Sequence, residues 1–469
     1  MHKFIPCVLT LALAGCQLAP EYQRPDSPVL ESYPDAESLT DERGFVAAEL
    51  PWQDFFADPQ LQVLIGQALE NNRDLQAAVY RIEETRGLYR VQNAERFPSL
   101  GIGADATRGR FNQGTAAGVA GSGGSISETY SVSATISAFE LDFWGRVANL
   151  STAARAEYFA SIEAQRAFRL SLIRDVATTY LGLREAVERI ALAEATVISR
   201  REGLRIAKVR LDAGITSALD FNQAEALLTQ AETQLASIML ARAENQNLLA
   251  VLTGGVVAEP LPEPLSLEQQ SSPPALDAGL SSSLLVNRPD ILAAEQRLIA
   301  AKANIGIARA AFFPQVSLIG SFGYASSELD NLISSSDETW SIGPSITLPI
   351  FDFGRNRGNL TVAQARDNIA IAEYESTIQT AFNEVADALA GRRYLAEQVD
   401  AQRRNTETLQ RVVNLARKRY QEGVVNYIEV LDAERSLFDA EQAFIQTRRA
   451  EVQNLVDLYV ALGGGTLEQ

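Results

Sequence analysis

The sequence predicts an α+β membrane protein with an internal two-fold repeat. Three observations support this prediction: a repeated glycine spacing, two very long helical stretches, and two pairs of segments with a two-residue period. A repeated spacing is the signature of a duplicated unit. Three glycines of the first copy recur 209 residues later, and the pairs are Gly145 with Gly354, Gly214 with Gly423, and Gly254 with Gly463.

The two long stretches, Arg146 to Ala213 and Arg355 to Glu422, contain no proline and are each predicted to form one helix. From Ile173 to Leu211 a largely apolar series recurs at alternating steps of three and four, which is the heptad period of a coiled coil. At 1.5 Å per residue such a helix extends roughly 100 Å. It is therefore expected to need a partner along its whole length.

That partner is predicted to be the segment that follows each stretch. Gly214 and Gly423 end the long helices, as suits a tight turn between two helices. Helical patterns resume from Leu219 to Leu252 and from Tyr427 to Leu462. Each copy therefore predicts one long antiparallel hairpin.

Each copy also predicts two strands before its long helix, at about 99–108 and 128–142, and at about 315–325 and 339–351. Apolar residues alternate with hydroxyl-bearing ones, most regularly from Tyr130 to Ala138. An amphipathic sheet on a soluble core is one interpretation. Transmembrane β-barrel strands of about 9–11 residues are the other, and the long helices favour it. Pro344 inside the last strand is unusual for both.

The number of strands limits what one chain can form. Four strands cannot close a barrel, because known barrels begin at about eight strands, and an open sheet edge is not tolerated in lipid. If these strands cross a membrane, several chains must share one barrel. Two strands per copy begin and end on the same side, so both hairpins would lie together in the periplasm.

Composition excludes several classes of function. The formal net charge of −18 argues against a nucleic-acid partner. The single histidine, His2, and one of two cysteines, Cys7, lie in the predicted signal peptide. The mature chain would then have no Ser–His triad, histidine metal site or internal disulfide. No catalytic residue, metal site or cofactor is predicted, and the 59 acidic residues mostly suit solvated helix faces.

Residues 1–15 are predicted to be a lipoprotein signal peptide. A basic start leads into an apolar run that ends at Leu13-Ala14-Gly15-Cys16. This ending resembles a bacterial lipoprotein cleavage box, which implies that Cys16 becomes the lipidated first residue. An ordinary signal peptide with a chance cysteine is the alternative. Gln17 after the cysteine favours the outer membrane by the same resemblance.

The remaining segments are predicted to connect the repeats. Residues 16–58 are rich in proline and predict an extended, lipidated tether, which Trp52, Phe55 and Phe56 are expected to dock onto the body. One helix is expected from Pro59 to Phe97. The segments are a first repeat at 59–252, a proline-rich and serine-rich linker of the equatorial region at 253–286, a second repeat at 287–462 and a tail at 463–469.

Several motifs resemble the outer-membrane factor family, the TolC-like channels of Gram-negative bacteria. The resemblance covers essentially the whole mature chain. Within the family, the chain most closely resembles the lipoprotein branch, the OprM-like channels of multidrug efflux systems. Each motif is weak alone, and the set is specific. Besides the cysteine box, the motifs are Glu140-Leu141-Asp142-Phe143-Trp144-Gly145-Arg146, Leu348-Pro349-Ile350-Phe351-Asp352-Phe353-Gly354-Arg355, Asn287-Arg288-Pro289-Asp290 and Asn426-Tyr427-Ile428-Glu429-Val430-Leu431-Asp432-Ala433-Glu434.

The resemblance implies a homotrimer. Three chains of four strands would form a twelve-stranded β-barrel in the outer membrane, continuous with a long periplasmic α-helical barrel. It also implies a passive exit duct for drugs or other small molecules, with a periplasmic adaptor protein and an inner-membrane efflux pump as partners. The pump would supply the energy, which agrees with the missing GxxxxGK[ST] phosphate loop.

The resemblance further implies a gate just past Gly423. Ile428 and Asp432 lie one helical turn apart on one face, so three-fold symmetry would stack an apolar ring on a carboxylate ring. A solvated helix carboxylate is the alternative for Asp432. Val425 stands where TolC has an arginine that completes a latch. The gate residues implied by the resemblance are Tyr420, Ile428, Glu429 and Asp432.

The two helix turns are expected to meet the adaptor. Exposed apolar side chains at helix turns suit docking of another coiled coil, although they could equally cap their own hairpins. The tip residues are Gly214 and Ile215 in the first hairpin and Gly423, Val424 and Val425 in the second.

Four other functions compete with drug efflux. A type I secretion duct would share the same architecture. A periplasmic adaptor lipoprotein would need a biotinyl-lipoyl-like domain and no membrane strands, and a trimeric adhesin would not show a duplication with two hairpins. An enzyme acting through paired carboxylates is the most distant alternative. The duplicated strand pairs favour an exit duct.

Overall fold

The structure is a computed structural model that describes residues 17–33, 45–111, 125–255, 257, 260–270, 276–277 and 288–466. The predicted signal peptide, Cys16, Asn287, half of the linker and residues 467–469 lie outside the described residues. The chain divides into two compact units. The strand unit comprises Met1–Pro25, Ile82–Ser161 and Ala294–Tyr374, and the hairpin unit comprises Asp26–Arg81, Ile162–Ala293 and Glu375–Gln469.

The helices and strands follow one another in an order that repeats. They are β1 (Phe45–Val46), α1 (Trp52–Phe55), α2 (Pro59–Asn71), α3 (Arg73–Ala94), β2 (Leu100–Phe111), β3 (Ser125–Glu140), α4 (Arg146–Asp212), α5 (Ala218–Leu252), α6 (Leu267–Gln270), β4 (Leu276–Asp277), α7 (Pro289–Ala310), β5 (Gln315–Ser326), β6 (Glu338–Thr347), α8 (Arg355–Gln421) and α9 (Tyr427–Ala461).

The strand unit contains one antiparallel sheet with the order β2-β3-β5-β6. The strand pairs of the two copies are therefore joined through β3 and β5. Within the chain, β2 and β6 are the edge strands. Pro344 lies in β6, opposite Leu318, and an edge strand accommodates proline because one of its sides has no ladder partner in the chain.

The last strand is shorter than the sequence predicts. β6 ends at Thr347, not at 351, because the chain then turns towards α8. Pro349 has no N–H for a ladder, and the Asp352 carboxylate accepts hydrogen bonds from the backbone N–H groups of Gly354 (2.9 Å) and Asn356 (2.9 Å). The other strand ends lie within three residues of the predicted positions.

In the middle of the sheet, the strand register places most apolar and hydroxyl side chains on opposite faces, whereas the ion pair of Arg108 and Glu128 lies on the apolar face towards one end of β2 and β3. On one face the large side chains are exposed in the chain, with Ile102 82% and Trp340 69% exposed. On the other, Ser321 and Ser341 form a cross-strand hydrogen bond of 2.7 Å. The apolar face includes Ile102, Val132, Ile136, Phe322, Trp340 and Ile342, and the polar face includes Ser131, Ser133, Thr135, Ser321 and Ser341.

The hairpin helices confirm the duplication. α4 and α8 each have 67 residues, and α5 and α9 each have 35. The six glycines of the repeated spacing all have φ between +69° and +88°, the left-handed conformation that favours glycine at helix ends. In the hairpin unit, α4 packs on α5 and α8 packs on α9. Buried residues of these seams include Val197, Leu228 and Ala231 in the first hairpin, and Val413, Ala416, Val430 and Ala433 in the second.

The single helix predicted from Pro59 to Phe97 is wrong, since the structure has α2 and α3 with a break at Asn72. Asn72 is extended, at φ −62° and ψ 127°. Its side-chain oxygen accepts from the Leu75 N–H (2.9 Å), and its side-chain amide donates to the Leu252 carbonyl (3.0 Å). These two bonds cap α3 and connect it to the end of α5, which favours the break over a continuous helix.

The described parts of the tether are packed against the body. In the hairpin unit, Phe55 and Phe56 are buried, and the Phe55 ring stacks on the Tyr459 ring at 4.2 Å between centroids. In the strand unit, Arg24 and Tyr22 both bind the buried Glu295 carboxylate, at 2.7 Å and 2.6 Å. The predicted docking by this aromatic segment is observed, with Trp52 half-buried.

Among the helices of the described residues, none combines the length and the apolar character required to cross a bilayer.

Candidate functional site

The two hairpin turns have the same backbone design. Gly214 and Gly423 have φ of +69° and +71°. In each turn, the N–H of the glycine and the N–H of the next residue donate to carbonyls of the preceding helix. In the first turn, Gly214 donates to Leu211 and Ile215 donates to Arg210, both at 2.9 Å. In the second turn, Gly423 donates to Tyr420 at 3.0 Å and Val424 donates to Arg419 at 2.9 Å. This pattern is a Schellman motif, which satisfies the last carbonyls of a helix.

The first turn is closed by its own acidic residue. Ser217 accepts from the Asp220 N–H (3.2 Å), and the Asp220 carboxylate accepts from the Ser217 N–H (3.2 Å). This is a capping box. The Thr216 hydroxyl also donates to Asp220, at 2.6 Å. The hydrogen bonds from Thr216 and then Ser217 lower the pKa of the Asp220 carboxyl, so the first turn keeps this carboxylate charged and bound to itself.

The second turn uses its acidic residues differently. Asn426 begins α9 without a side-chain cap. Glu429, 209 residues after Asp220, forms an ion pair with Arg419 of α8. Asp432 is exposed and lies 3.1 Å from Arg435, one turn further along α9. Ile428 is half-buried. Both predicted gate acids are therefore surface carboxylates with an arginine beside them.

Tyr420 belongs to an aromatic contact between the two hairpins, which we call the tyrosine contact and define by Tyr420, Tyr427, Arg210 and Gly203. The two tyrosine rings are 5.0 Å apart. The Arg210 guanidinium of the first hairpin lies 5.3 Å from the centre of the Tyr420 ring, within the range of a cation–π interaction. A Cβ placed on Gly203 would lie 2.6 Å from the Tyr427 hydroxyl, so Gly203 leaves the room that Tyr427 occupies.

The sequence prediction included Tyr420 but missed the other three members of the tyrosine contact. A signal existed in the repeat, since Tyr420 and Tyr427 stand where the first copy has Leu211 and Ala218. Gly203 stands where the second copy has Val412, which is likewise a departure from the repeat.

The predicted tip residues differ in exposure. Ile215 is 66% exposed and Val424 is 67% exposed. The expectation that Val425 is exposed is wrong, because its side chain is half-buried. Leu219, which the sequence prediction did not include, is exposed beside Ile215 in the first turn. Each turn thus presents apolar surface to the solvent of the single chain.

In the part of the chain that the structure describes, no group of three or more histidine, cysteine, aspartate or glutamate side chains is placed to hold a metal ion.

Comparison with known proteins gives consistent matches. The family model described as outer membrane efflux protein matches residues 64–255 and 280–464. The toluene efflux pump outer membrane protein TtgI of Pseudomonas putida is 41% identical over 469 residues, which are 99% of this chain and 98% of that protein. The cation efflux system protein CusC of Escherichia coli strain K12 is 39% identical over 469 residues, 99% of both chains.

A solved structure agrees with these sequence matches. The open state of the Neisseria gonorrhoeae MtrE outer membrane channel has a TM-score of 0.86 and 39% sequence identity, and the match covers 96% of this chain and 99% of that one.

Proposed function

The chain belongs to the outer membrane efflux protein family, and from that premise we propose that three copies assemble into one exit duct. The chain is an outer-membrane efflux channel of the tripartite type, and it extends from the outer membrane into the periplasm. Its relatives are named as efflux channel proteins, and we propose neither catalysis nor a cofactor for it.

The strand unit carries the proposal. Its sheet has one apolar and one hydroxyl-bearing face, and Ile102 and Trp340 on the apolar face are exposed in the single chain. Lipid covers such a face in a membrane barrel, and the polar face lines the lumen. The edge strands β2 and β6 need partners in lipid. Pairing β6 of one copy with β2 of the next closes twelve strands from three chains.

The two hairpins of each chain supply the second part of the duct. Six hairpins in a trimer would form the periplasmic α-helical barrel, with the tyrosine contact and the acidic residues near its tip. We assign the gate to Ile428, Asp432, Glu429 and Tyr420. The exposure of Asp432 and its position one turn from Ile428 support a carboxylate ring next to an apolar ring.

The adaptor protein is proposed to dock on the two turns, and an inner-membrane pump is proposed to drive export through it. The support is apolar exposure at Ile215, Leu219 and Val424, in a surface formed by helix ends. Apolar side chains at regular helical positions suit packing against another helical hairpin.

Lipidation of Cys16 is supported by how the next residues are held. The Asn149 side-chain amide donates to the Gln17 side chain at 2.8 Å, and Arg309 donates to the Leu18 carbonyl at 2.9 Å. Asn149 and Arg309 belong to α4 and α7 in the strand unit. A lipid on Cys16 would therefore be attached beside the unit that carries the membrane strands.

The test combines assembly with conduction. The full chain, purified in detergent, should have the mass of three chains and should form ion-conducting channels in planar bilayers. A monomer that does not conduct would contradict the proposal. For the lipid, Cys16→Ser should abolish incorporation of a palmitate analogue, whereas labelling that survives would place the modification elsewhere.

A further inference from the structure

The hairpin unit contains a cavity of about 200 Å³ that the duct function does not use. It lies between Pro51–Gln53, the middle of α4 and the chain just after α9. The residues of its wall include Trp52, Arg166, Arg169, Gly464 and Gly465. Arg169 precedes Gly214 by about 45 residues, roughly 65 Å along the helix at 1.5 Å per residue, so the cavity is separate from the turns.

The charged residues that line this cavity are two arginines. Arg166 and Arg169 are three residues apart on α4, which places them on one face. Among the described residues, the cavity wall includes no carboxylate. Arg166 donates to Glu163 at 2.9 Å, whereas Arg169 has no hydrogen bond and no ion pair with any residue that the structure describes. Burial lowers the pKa of the Arg169 guanidinium, which reflects the cost of holding its charge partly away from water.

Because Arg169 is half-buried, its unpaired charge has lost part of its hydration, which a bound counter-ion would compensate. The neighbouring backbone donors are already used, because the Gly464 N–H donates to Tyr459 and the Gly465 N–H donates to Ala47. The free donors are therefore those of Arg169, together with the Trp52 indole N–H, which reaches no acceptor among the described residues. A guanidinium presents two parallel N–H groups that match the two oxygens of a carboxylate or phosphate.

We propose that this cavity binds a small oxyanion, a phosphate or carboxylate group, through Arg169 with support from Arg166 and Trp52. The volume decides the size of the ligand. Pockets for drug-sized molecules have about 300–1,000 Å³, so 200 Å³ suits an ion or one charged group and not an exported compound. The bound anion would connect α4 to the tether segment and to the chain after α9, three segments that are far apart in sequence.

The probe for this proposal is inorganic phosphate, with acetate as a second arm and chloride at equal ionic strength as the reference. A ligand that binds only the folded state raises the unfolding temperature with its concentration. We expect a saturable increase for the detergent-purified full chain with phosphate, acetate or both, confirmed by calorimetric titration. The more effective anion identifies the class of the natural ligand.

Three variants test the residue assignment. Arg169→Gln should weaken anion binding by roughly tenfold or more, because it removes a charge-assisted bidentate contact. Arg169→Lys keeps the charge but loses the two parallel N–H groups of the guanidinium, and the variant should bind the anion with intermediate strength. Arg174→Gln is the matched control, since Arg174 lies on the same helix and pairs with Asp175 at 3.5 Å, and it should bind as the wild type does.

Two results would overturn the proposal. One is the lack of any saturable effect of either anion on the wild type. The other is unchanged binding in Arg169→Gln, which would place the anion elsewhere. If Arg169→Gln instead dissociates the trimer while phosphate has no effect on the wild type, the partner of Arg169 is a carboxylate of a neighbouring copy, and the anion site does not exist.

Discussion

The turns of the first and second hairpins share one backbone and differ in how they use their acidic residues. Both turn at a left-handed glycine with the same two backbone hydrogen bonds. In the first turn, Asp220 is bound by Thr216 and Ser217 of the turn itself. In the second, Glu429 reaches across to Arg419 on the neighbouring helix, and Asp432 is exposed. The duplication has kept the backbone of the turn and changed the partners of its acidic residues.

The largest effect is expected from filling the turn glycines. Gly214→Trp and Gly423→Trp each force a side chain into a left-handed conformation, which costs about 1–2 kcal/mol, and place a bulky group where the adaptor is proposed to dock. Apart from the glycine and its two chain neighbours, no atom of the described residues lies within 4 Å of a Cβ added at either glycine, so the trimer should form. Each variant should abolish export, measured as the loss of resistance to an exported compound.

The two glycine variants also test whether the hairpins dock equally. If only Gly423→Trp abolishes export, the second hairpin alone carries the docking surface. If trimers of both variants still crosslink to the adaptor and still export, the turns are not the docking site.

Much of this comparison between the two turns could be predicted from the sequence. Particular residues show which features could not. The 209-residue spacing located six of the left-handed glycines, because a backbone requirement restricts the residue type at one position, whereas Gly465, at φ +67°, lies outside that spacing. Arg210, Gly203 and Tyr427 were missed, because their pairing depends on how two hairpins pack and not on any local pattern. Asn72 was missed for the same reason, since the Leu252 carbonyl that fixes the helix break is 180 residues away.

The second-largest effect is expected from substitutions at the tyrosine contact. Gly203→Leu puts a side chain where the Tyr427 hydroxyl lies, 2.6 Å from the new Cβ, and should push the two hairpins apart near the gate. Planar-bilayer recordings should show a higher basal conductance than the wild type. Tyr427→Phe removes the clashing hydroxyl, so Gly203→Ala combined with Tyr427→Phe should conduct less than Gly203→Ala alone. Equal conductance in the wild type and Gly203→Leu would show that this contact does not set the aperture.

The third effect is expected at the gate itself. Three Asp432 carboxylates near one axis would repel one another and attract cations, and Ile428 one turn away would exclude water. Ile428→Ala should raise basal conductance, and Asp432→Ala should weaken block by divalent or trivalent cations added on the periplasmic side. Asp220→Ala in the first hairpin is the control and should leave the block unchanged. If both second-hairpin variants behave as the wild type, the constriction lies elsewhere, nearest to Tyr420.

A smaller effect is expected from pH on the first turn. The folded-state pKa of Asp220 is lowered from its ordinary 3.8, so the stability it contributes is present above pH 3.8 and is lost as the pH falls through the lowered folded-state value. Amide hydrogen exchange in this turn, corrected for the intrinsic effect of pH, should accelerate as the pH falls through that range. Asp220→Asn should remove this acceleration, and the same pH dependence in the variant would assign it to another group.

The smallest effect is expected from substitutions at the two N-caps, which can be compared directly. Ser217→Ala removes a side-chain cap, which typically costs about 1 kcal/mol, and 1 kcal/mol corresponds to roughly a fivefold change in an opening equilibrium. Asn426 makes no side-chain cap bond, so Asn426→Ala should cost much less. Hydrogen exchange of the amides at the start of α5 and α9, recorded on the intact trimer, measures the effect of each substitution. An acceleration in the first turn alone would confirm that the two copies close their helices differently. Equal acceleration in both would mean that Asn426 caps α9 in solution, and the contrast between the turns would then rest on Glu429 and Asp432 alone.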